Sequence, residues 1–152
     1  YMNYGITPDI VSTAKGLAGG LPMGAVLFGE KLKDTVTPGS HGSTFGGNPI
    51  AAAGAISIVE RIDDKFLNEV AAKGDYIRDY LGKIKGVKSI SGMGLMLGIE
   101  TEKPAKEIAA ECLERGLLVL TAKTKIRLLP ALNISKNELD KGLNILKEVI
   151  EK

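Results

Sequence analysis

The chain has 152 residues, 44% hydrophobic and 25% charged, with 20 basic against 18 acidic side chains and a net charge of +2. That balance describes a soluble globular protein with one core or two small lobes, and 5% aromatics without a basic stripe speak against nucleic acid as a partner. No apolar run approaches the roughly 20 residues that span a bilayer, no signal pattern opens the sequence, and one cysteine, Cys112, leaves no intrachain disulfide and fits a reducing, cytoplasmic setting.

Tyr1-Met2-Asn3-Tyr4 starts without an initiator methionine or targeting logic, as an internal piece of a longer chain would. The first third is rich in glycine, which marks backbone that turns sharply or approaches a ligand closely. Within it Gly24 to Gly29 reads as a short buried strand. Asn48-Pro49 is a helix start, with Asn as N-cap and Pro at the first helical position, and the Ala-rich run to Glu60 continues it. Phe66, Val70, Ile77, Leu81 and Ile84 recur at helical spacing.

Strands and helices then alternate. A strand is expected around Leu95 to Ile99, an amphipathic helix from Ala105 to Arg115 with Gly116 as its stop, and strands at Leu117 to Leu120 and Ile126 to Pro130. Ser135 with Glu138 three residues on forms a capping box for a last helix, whose inner face is Leu139, Leu143, Leu146 and Ile150. The expected organisation is an α/β chain with residues 1–60 as one segment, a connecting helix over 61–86 and a small α/β domain over 87–152.

Three motif matches fail. Ser12-Thr13-Ala14-Lys15 is literally the S-x-x-K of penicillin-binding enzymes, but the companion K-T-G is absent, Lys123-Thr124-Lys125 being the nearest run. Gly92-Met93-Gly94 with Gly98 is one residue too long for the dinucleotide fingerprint and no helix pattern follows. The single His41, with no Cys/His/Asp cluster at ligand spacing, gives no metal site.

Two runs carry chemistry. Pro8 to Ala25 brings a strand-like stretch to Lys15 among small residues and then to Gly19-Gly20. Small neighbours leave room for a flat aromatic group on the ε-nitrogen, and a partly dehydrated amine is the better nucleophile. A lysine in a glycine-rich loop is also, on its own, commonly just solvated. His41 to Pro49 sets hydroxyls and backbone amides before a helix N-terminus, which suits a phosphate. The plainer reading is a Ser/Thr-rich turn that caps a helix.

Together these runs resemble the class III aminotransferases of fold type I, most closely the acetylornithine aminotransferases. Their motifs P-D-I-V-x-x-A-K-G-L-x-x-G-L-P-x-G-A and H-G-S-T-F-x-G-N-P are matched here, as are two later stretches, Gly92 to Glu100 and Ile126 to Leu132. The resemblance runs from Tyr1 to the end. It implies the end of a large cofactor domain plus a small C-terminal domain, pyridoxal 5'-phosphate as cofactor, and transamination of N-acetylornithine with 2-oxoglutarate in arginine biosynthesis. It implies Lys15 as the residue that carries the cofactor and moves the proton, Thr44 on the cofactor phosphate across a dimer interface, Ser43 on substrate, and Arg127 on a substrate carboxylate, with no metal. For Arg127 a strand arginine reaching to solvent is the other reading. The family's aspartate for the pyridine nitrogen, its ring-stacking aromatic and another phosphate loop belong upstream of Tyr1, so the chain alone is expected to be inactive. Alternatives are another class III enzyme (ornithine, succinylornithine, 4-aminobutyrate or lysine-pathway substrate) or a non-catalytic interaction domain descended from one.

Overall fold

The computed structural model describes residues 1–152, which fall into two compact units, Tyr1–Asp63 and Asp64–Lys152. In the first, β1 (Ile10–Thr13) pairs antiparallel with β2 (Ala25–Phe28), in a register that sets Ile10 against Phe28 and Thr13 against Ala25. The loop joining them holds a short 3-10 turn at Lys15–Leu17. α1 (Pro49–Val59) starts where Asn48-Pro49 requires: the Asn48 side chain accepts from the Ile50 and Ala51 amides, and Pro49 brings its preset φ. The buried hydrophobic residues of this unit are three alanines, Ala18, Ala51 and Ala55, while Val26, Leu27 and Phe28 of β2 are exposed. A two-stranded ribbon is marginal without further strands or a helix over its faces.

The second unit carries the larger core. α2 (Asp64–Leu81) is followed by β3 (Val87–Met93), β4 (Met96–Thr101), α3 (Ala105–Glu114), β5 (Leu120–Ala122), β6 (Lys125–Leu128) and α4 (Lys136–Glu151). The strands form one antiparallel sheet in the order β3-β4-β6-β5. Leu97, Ile99 and Ile126 are fully buried in one cluster with Ile77 and Leu81 of α2, Ile108 and Cys112 of α3, and Leu143, Leu146 and Val149 of α4. Each such aliphatic side chain contributes about 1.5–3 kcal/mol. The expected capping box of α4 is present: Ser135 Oγ accepts from the Glu138 amide and Glu138 Oε2 accepts from the Ser135 amide, both at 3.2 Å. α2 supplies two of the most deeply buried side chains, so it is part of this unit's core.

Three expected strands are corrected in extent. The stretch around Leu95 to Ile99 is the second arm of a hairpin whose first arm is β3, with Gly94 at φ 52 in the turn. Leu117 to Val119 lies outside the sheet and β5 begins at Leu120. The cause is the end of α3: Gly116 takes φ 80 and the Leu117 amide bonds back to the Cys112 carbonyl at 2.8 Å, so it is spent before the ladder begins. β6 runs Lys125–Leu128 and stops short of Leu129-Pro130, since proline has no amide to pair. No helix is long and apolar enough to cross a membrane.

Candidate active site

Lys15 leaves β1 through Ala14, held extended at φ −161, and then adopts φ 59. Only one other non-glycine residue, Lys123, has positive φ. A lysine in the left-handed region costs about 1–2 kcal/mol relative to ordinary backbone, and such strain persists where the surroundings over-determine it, most often at functional positions. The surroundings here are visible. The Leu17 amide bonds to the Ala14 carbonyl at 3.3 Å and the Gly19 amide to the Gly16 carbonyl at 3.1 Å, which winds the turn. Buried Ala18 then anchors it against α1: a Cβ on Gly54 would stand 2.8 Å from the Ala18 carbonyl oxygen, so only glycine permits this approach. At the other end of the ribbon the Gly29 amide bonds to the Asp9 carbonyl at 2.7 Å. The Asp9 carboxylate pairs with Lys31 at 3.2 Å, both exposed.

The Lys15 side chain is exposed, and a Cβ added at Gly16 or Gly20 would meet nothing within 4 Å. The backbone beside the lysine is therefore open to a bulky group. Ser43 and Thr44 are exposed in the loop before α1, where the Gly46 amide bonds to the Ser43 carbonyl at 3.3 Å. A Cβ on Gly46 would come within 3.0 Å of the Ser43 Cβ, so the turn is tight. A cavity between this loop and the glycine-rich turn is lined by Leu21, Pro22, Phe45, Asn48, Ile50 and Ala51.

The first amides of α1 are not available to a ligand, because Pro49 has none and Asn48 Oδ1 takes those of Ile50 (3.0 Å) and Ala51 (3.2 Å). An anion here would rely on the Ser43 and Thr44 hydroxyls, the loop amides and the helix-end dipole.

α1 thus joins the two motif runs in one unit: its body packs on the turn that begins at Lys15, and its N-terminus follows Thr44. Arg127 stands in the other unit, exposed on β6, opposite Gly98 on one side and Leu120 on the other. Gly54 was not singled out from sequence. A lone glycine inside an Ala-rich helix is the signal that marks it, since helix interiors disfavour glycine by about 1 kcal/mol unless another backbone comes close.

The turn that begins at the strained Lys15 packs through Ala18 on a helix that follows a Ser-Thr loop, and residues 1–150 match the family model Aminotransferase class-III: the chain belongs to that family. Within it, the acetylornithine aminotransferase of Haemophilus ducreyi is 45% identical over 152 residues, covering 99% of this chain and 39% of its own length. A crystal structure of acetylornithine aminotransferase from Elizabethkingia anophelis superposes with a TM-score of 0.83 at 31% identity, over 98% of this chain and 42% of that one. The ornithine aminotransferase from Toxoplasma gondii, crystallised with oxidised glutathione and holding PLP at partial occupancy in its active site, gives 0.81 at 29% identity, over 95% and 37%. The fold implied by the resemblance is the fold observed, and the chain spans well under half the length of these relatives.

Proposed function

We propose that this chain is the lysine-bearing, carboxyl-terminal part of a pyridoxal-phosphate-dependent aminotransferase that acts on N-acetylornithine and 2-oxoglutarate as a cytoplasmic homodimer. The observation that carries the reading is Lys15: the chain belongs to the class III family, and the lysine in its motif is held in a strained conformation by contacts on both sides. In this reading residues 1–60 close the large cofactor domain and residues 87–152 form the small domain. Two relatives of 45% and 40% identity named acetylornithine aminotransferase support that donor over ornithine.

The residues present fit the cofactor. Lys15 would hold it, with open backbone at Gly16 and Gly20 in the turn that follows, while across the dimer interface the exposed Thr44 would hold its phosphate and Ser43 would contact the substrate. Pyridoxal phosphate supplies an electron sink for the substrate's α-carbon. The chain's own contribution is positional. The Lys15 ε-amine, on a turn braced by Ala18 against Gly54, takes a proton at one fixed place and returns it nearby. The Thr44 hydroxyl donates to an anionic oxygen. The Arg127 guanidinium binds a substrate carboxylate with two parallel N–H bonds.

The test uses the full-length protein. Borohydride reduction of the cofactor-loaded enzyme followed by peptide mapping should leave the pyridoxyl group on Lys15, and Lys15→Ala should lose almost all turnover with acetylornithine and 2-oxoglutarate. A label on a different lysine, or a colourless protein that takes up no cofactor, refutes the reading in favour of a non-catalytic descendant.

A further inference from the structure

Gly54 and Ile58 stand at i and i+4 in α1 and are therefore neighbours on one face of the helix, about 5–6 Å apart. Each meets a different residue of the turn that follows Lys15. Gly54 receives the Ala18 carbonyl, whose oxygen lies 2.8 Å from where a Cβ would stand. Ile58 covers the bare side of Gly19, its Cγ1 and Cδ1 each 3.2 Å from the Cβ that the glycine lacks. The two contacts are complementary. The helix is bare where the turn brings a carbonyl, and the turn is bare where the helix brings a side chain. Gly19 also takes φ 67, a conformation that suits glycine. A single contact would let the turn pivot, whereas a pair fixes both its position and its direction.

Backbone bonds carry that fixing back to Lys15. The Leu17 amide donates to the Ala14 carbonyl at 3.3 Å, Gly19 to Gly16 at 3.1 Å, and Leu21 to Ala18 at 3.4 Å. On the other side Ala14 follows β1, whose Thr13 pairs with Ala25. Lys15 stands between these anchors, and its φ of 59 is what joins them. A lysine released from one anchor would favour ordinary backbone by a factor of about five to thirty. α1 thus holds the strain in the folded chain before any ligand arrives.

We propose that Gly54 and Ile58 are positioning residues for the Lys15 amine: by seating Ala18 and Gly19 they hold the strained backbone from which the amine extends. The inference rests on the reading of Lys15 as the cofactor lysine. In that reading the Lys15 nitrogen takes the place of the cofactor's aldehyde oxygen, which leaves as water. Where the backbone has relaxed, loading must first restore it, and affinity for the cofactor falls by the same factor.

The experiment measures the Kd of pyridoxal phosphate by fluorescence titration of the full-length apoenzyme, with kcat and KM for acetylornithine beside it. Gly54→Ala pushes the Ala18 carbonyl away, because the turn rests on single hydrogen bonds while α1 is a continuous helix. It should raise the cofactor Kd about five- to thirty-fold and lower kcat more than it raises KM. Ile58→Ala, which adds no clash, should act in the same direction by a smaller factor. Ile58→Val keeps Cγ1 and should restore most of that loss. Ser57→Gly is the control: exposed on α1, it weakens the helix through propensity alone and should leave the cofactor Kd at the parent value. The decisive background is Lys15→Ala, where the cofactor binds without the covalent bond. Gly54→Ala should cost nothing further there, since no bond then depends on the backbone at residue 15. If it weakens binding as much in that background as in the parent, α1 acts through the Thr44 loop or the fold at large, and the positioning role is overturned. It is equally overturned if Gly54→Ala and Ile58→Ala both keep the parent Kd, or if Ser57→Gly weakens the cofactor as they do. The reading of Lys15 fails by a different result: borohydride then fixes the cofactor to another lysine of the parent, and Lys15→Ala binds it as tightly as the parent does.

Discussion

Gly74 and Gly142 are both helix-interior glycines, in α2 and α4. Propensity treats them alike: replacement by alanine favours a helix by about 0.8–1 kcal/mol. Their surroundings oppose each other. A Cβ at Gly74 would stand 2.4 Å from the Gly94 carbonyl oxygen and 2.8 Å from its carbon, in the turn between β3 and β4. Backbone cannot swing aside as a side chain does, so α2 would have to retreat by more than half an ångström. That retreat would strain the bond from Arg78 Nη2 to the Gly92 carbonyl (2.5 Å) and loosen Ile77 and Leu81, both fully buried. Overpacking of this kind costs about 1–3 kcal/mol, so with the propensity gain taken off Gly74→Ala should lose up to about 2 kcal/mol. At Gly142 the nearest atom is Leu117 Cδ1 at 3.3 Å, the tip of a side chain in the segment between α3 and β5. A few tenths of an ångström of rotation admits the methyl, so Gly142→Ala should be neutral or stabilising by up to about 1 kcal/mol. Urea unfolding of the two variants, followed by circular dichroism, should separate their midpoints on opposite sides of the parent. If Gly74→Ala proved as stable as Gly142→Ala, the packing of α2 on the β3–β4 turn would be wrong.

Thr44→Ala in the full-length enzyme should weaken cofactor binding by about 1.5–3 kcal/mol, the range for a hydrogen bond to a charged group, and an unchanged cofactor Kd by fluorescence titration would remove Thr44 from the site. Acid should weaken the second unit. The Glu111, Glu138 and Asp140 carboxyls are held below the usual range by hydrogen bonds from Lys103, from Ser135 and from Lys136 with Tyr76 respectively. A depressed folded-state pKa means stability present at neutral pH and lost as pH falls through the carboxylate range below about pH 4; Asp140→Asn should flatten part of that acid limb in thermal melts, and an identical limb would contradict the assignment. Lys136 is shifted upward, chiefly by its bond to Asp140 and then by Tyr76, so its contribution is present below the ordinary lysine pKa and fades only at higher pH.

Helices were legible from sequence because their signals are local. Asn48-Pro49, Gly116 and the Ser135/Glu138 pair each act within one turn, and all three sit where expected. Strand extents were less legible, since a strand ends where its partner ends: nothing inside Leu117 to Leu120 tells that the Leu117 amide is already taken by Cys112. The hairpin at Gly94 was hidden for the same reason, β3 being a weakly apolar strand, Val87 to Met93, that gains its identity from pairing with β4. In the candidate site the residue types were readable from the two motif runs, whereas the strain at Lys15 and the contact of Gly54 with Ala18 exist only once α1 has packed.

The chain's single thiol offers one more use of the core. Cys112 is fully buried, and burial pushes its pKa up, so little of it is the reactive thiolate. It sits on α3 in the same cluster as the innermost residues of the sheet, α2 and α4. A thiol reagent can reach it only when that cluster parts. The rate of colour development with an aromatic disulfide therefore counts openings of the second unit, and no engineered probe is needed to watch this lobe breathe.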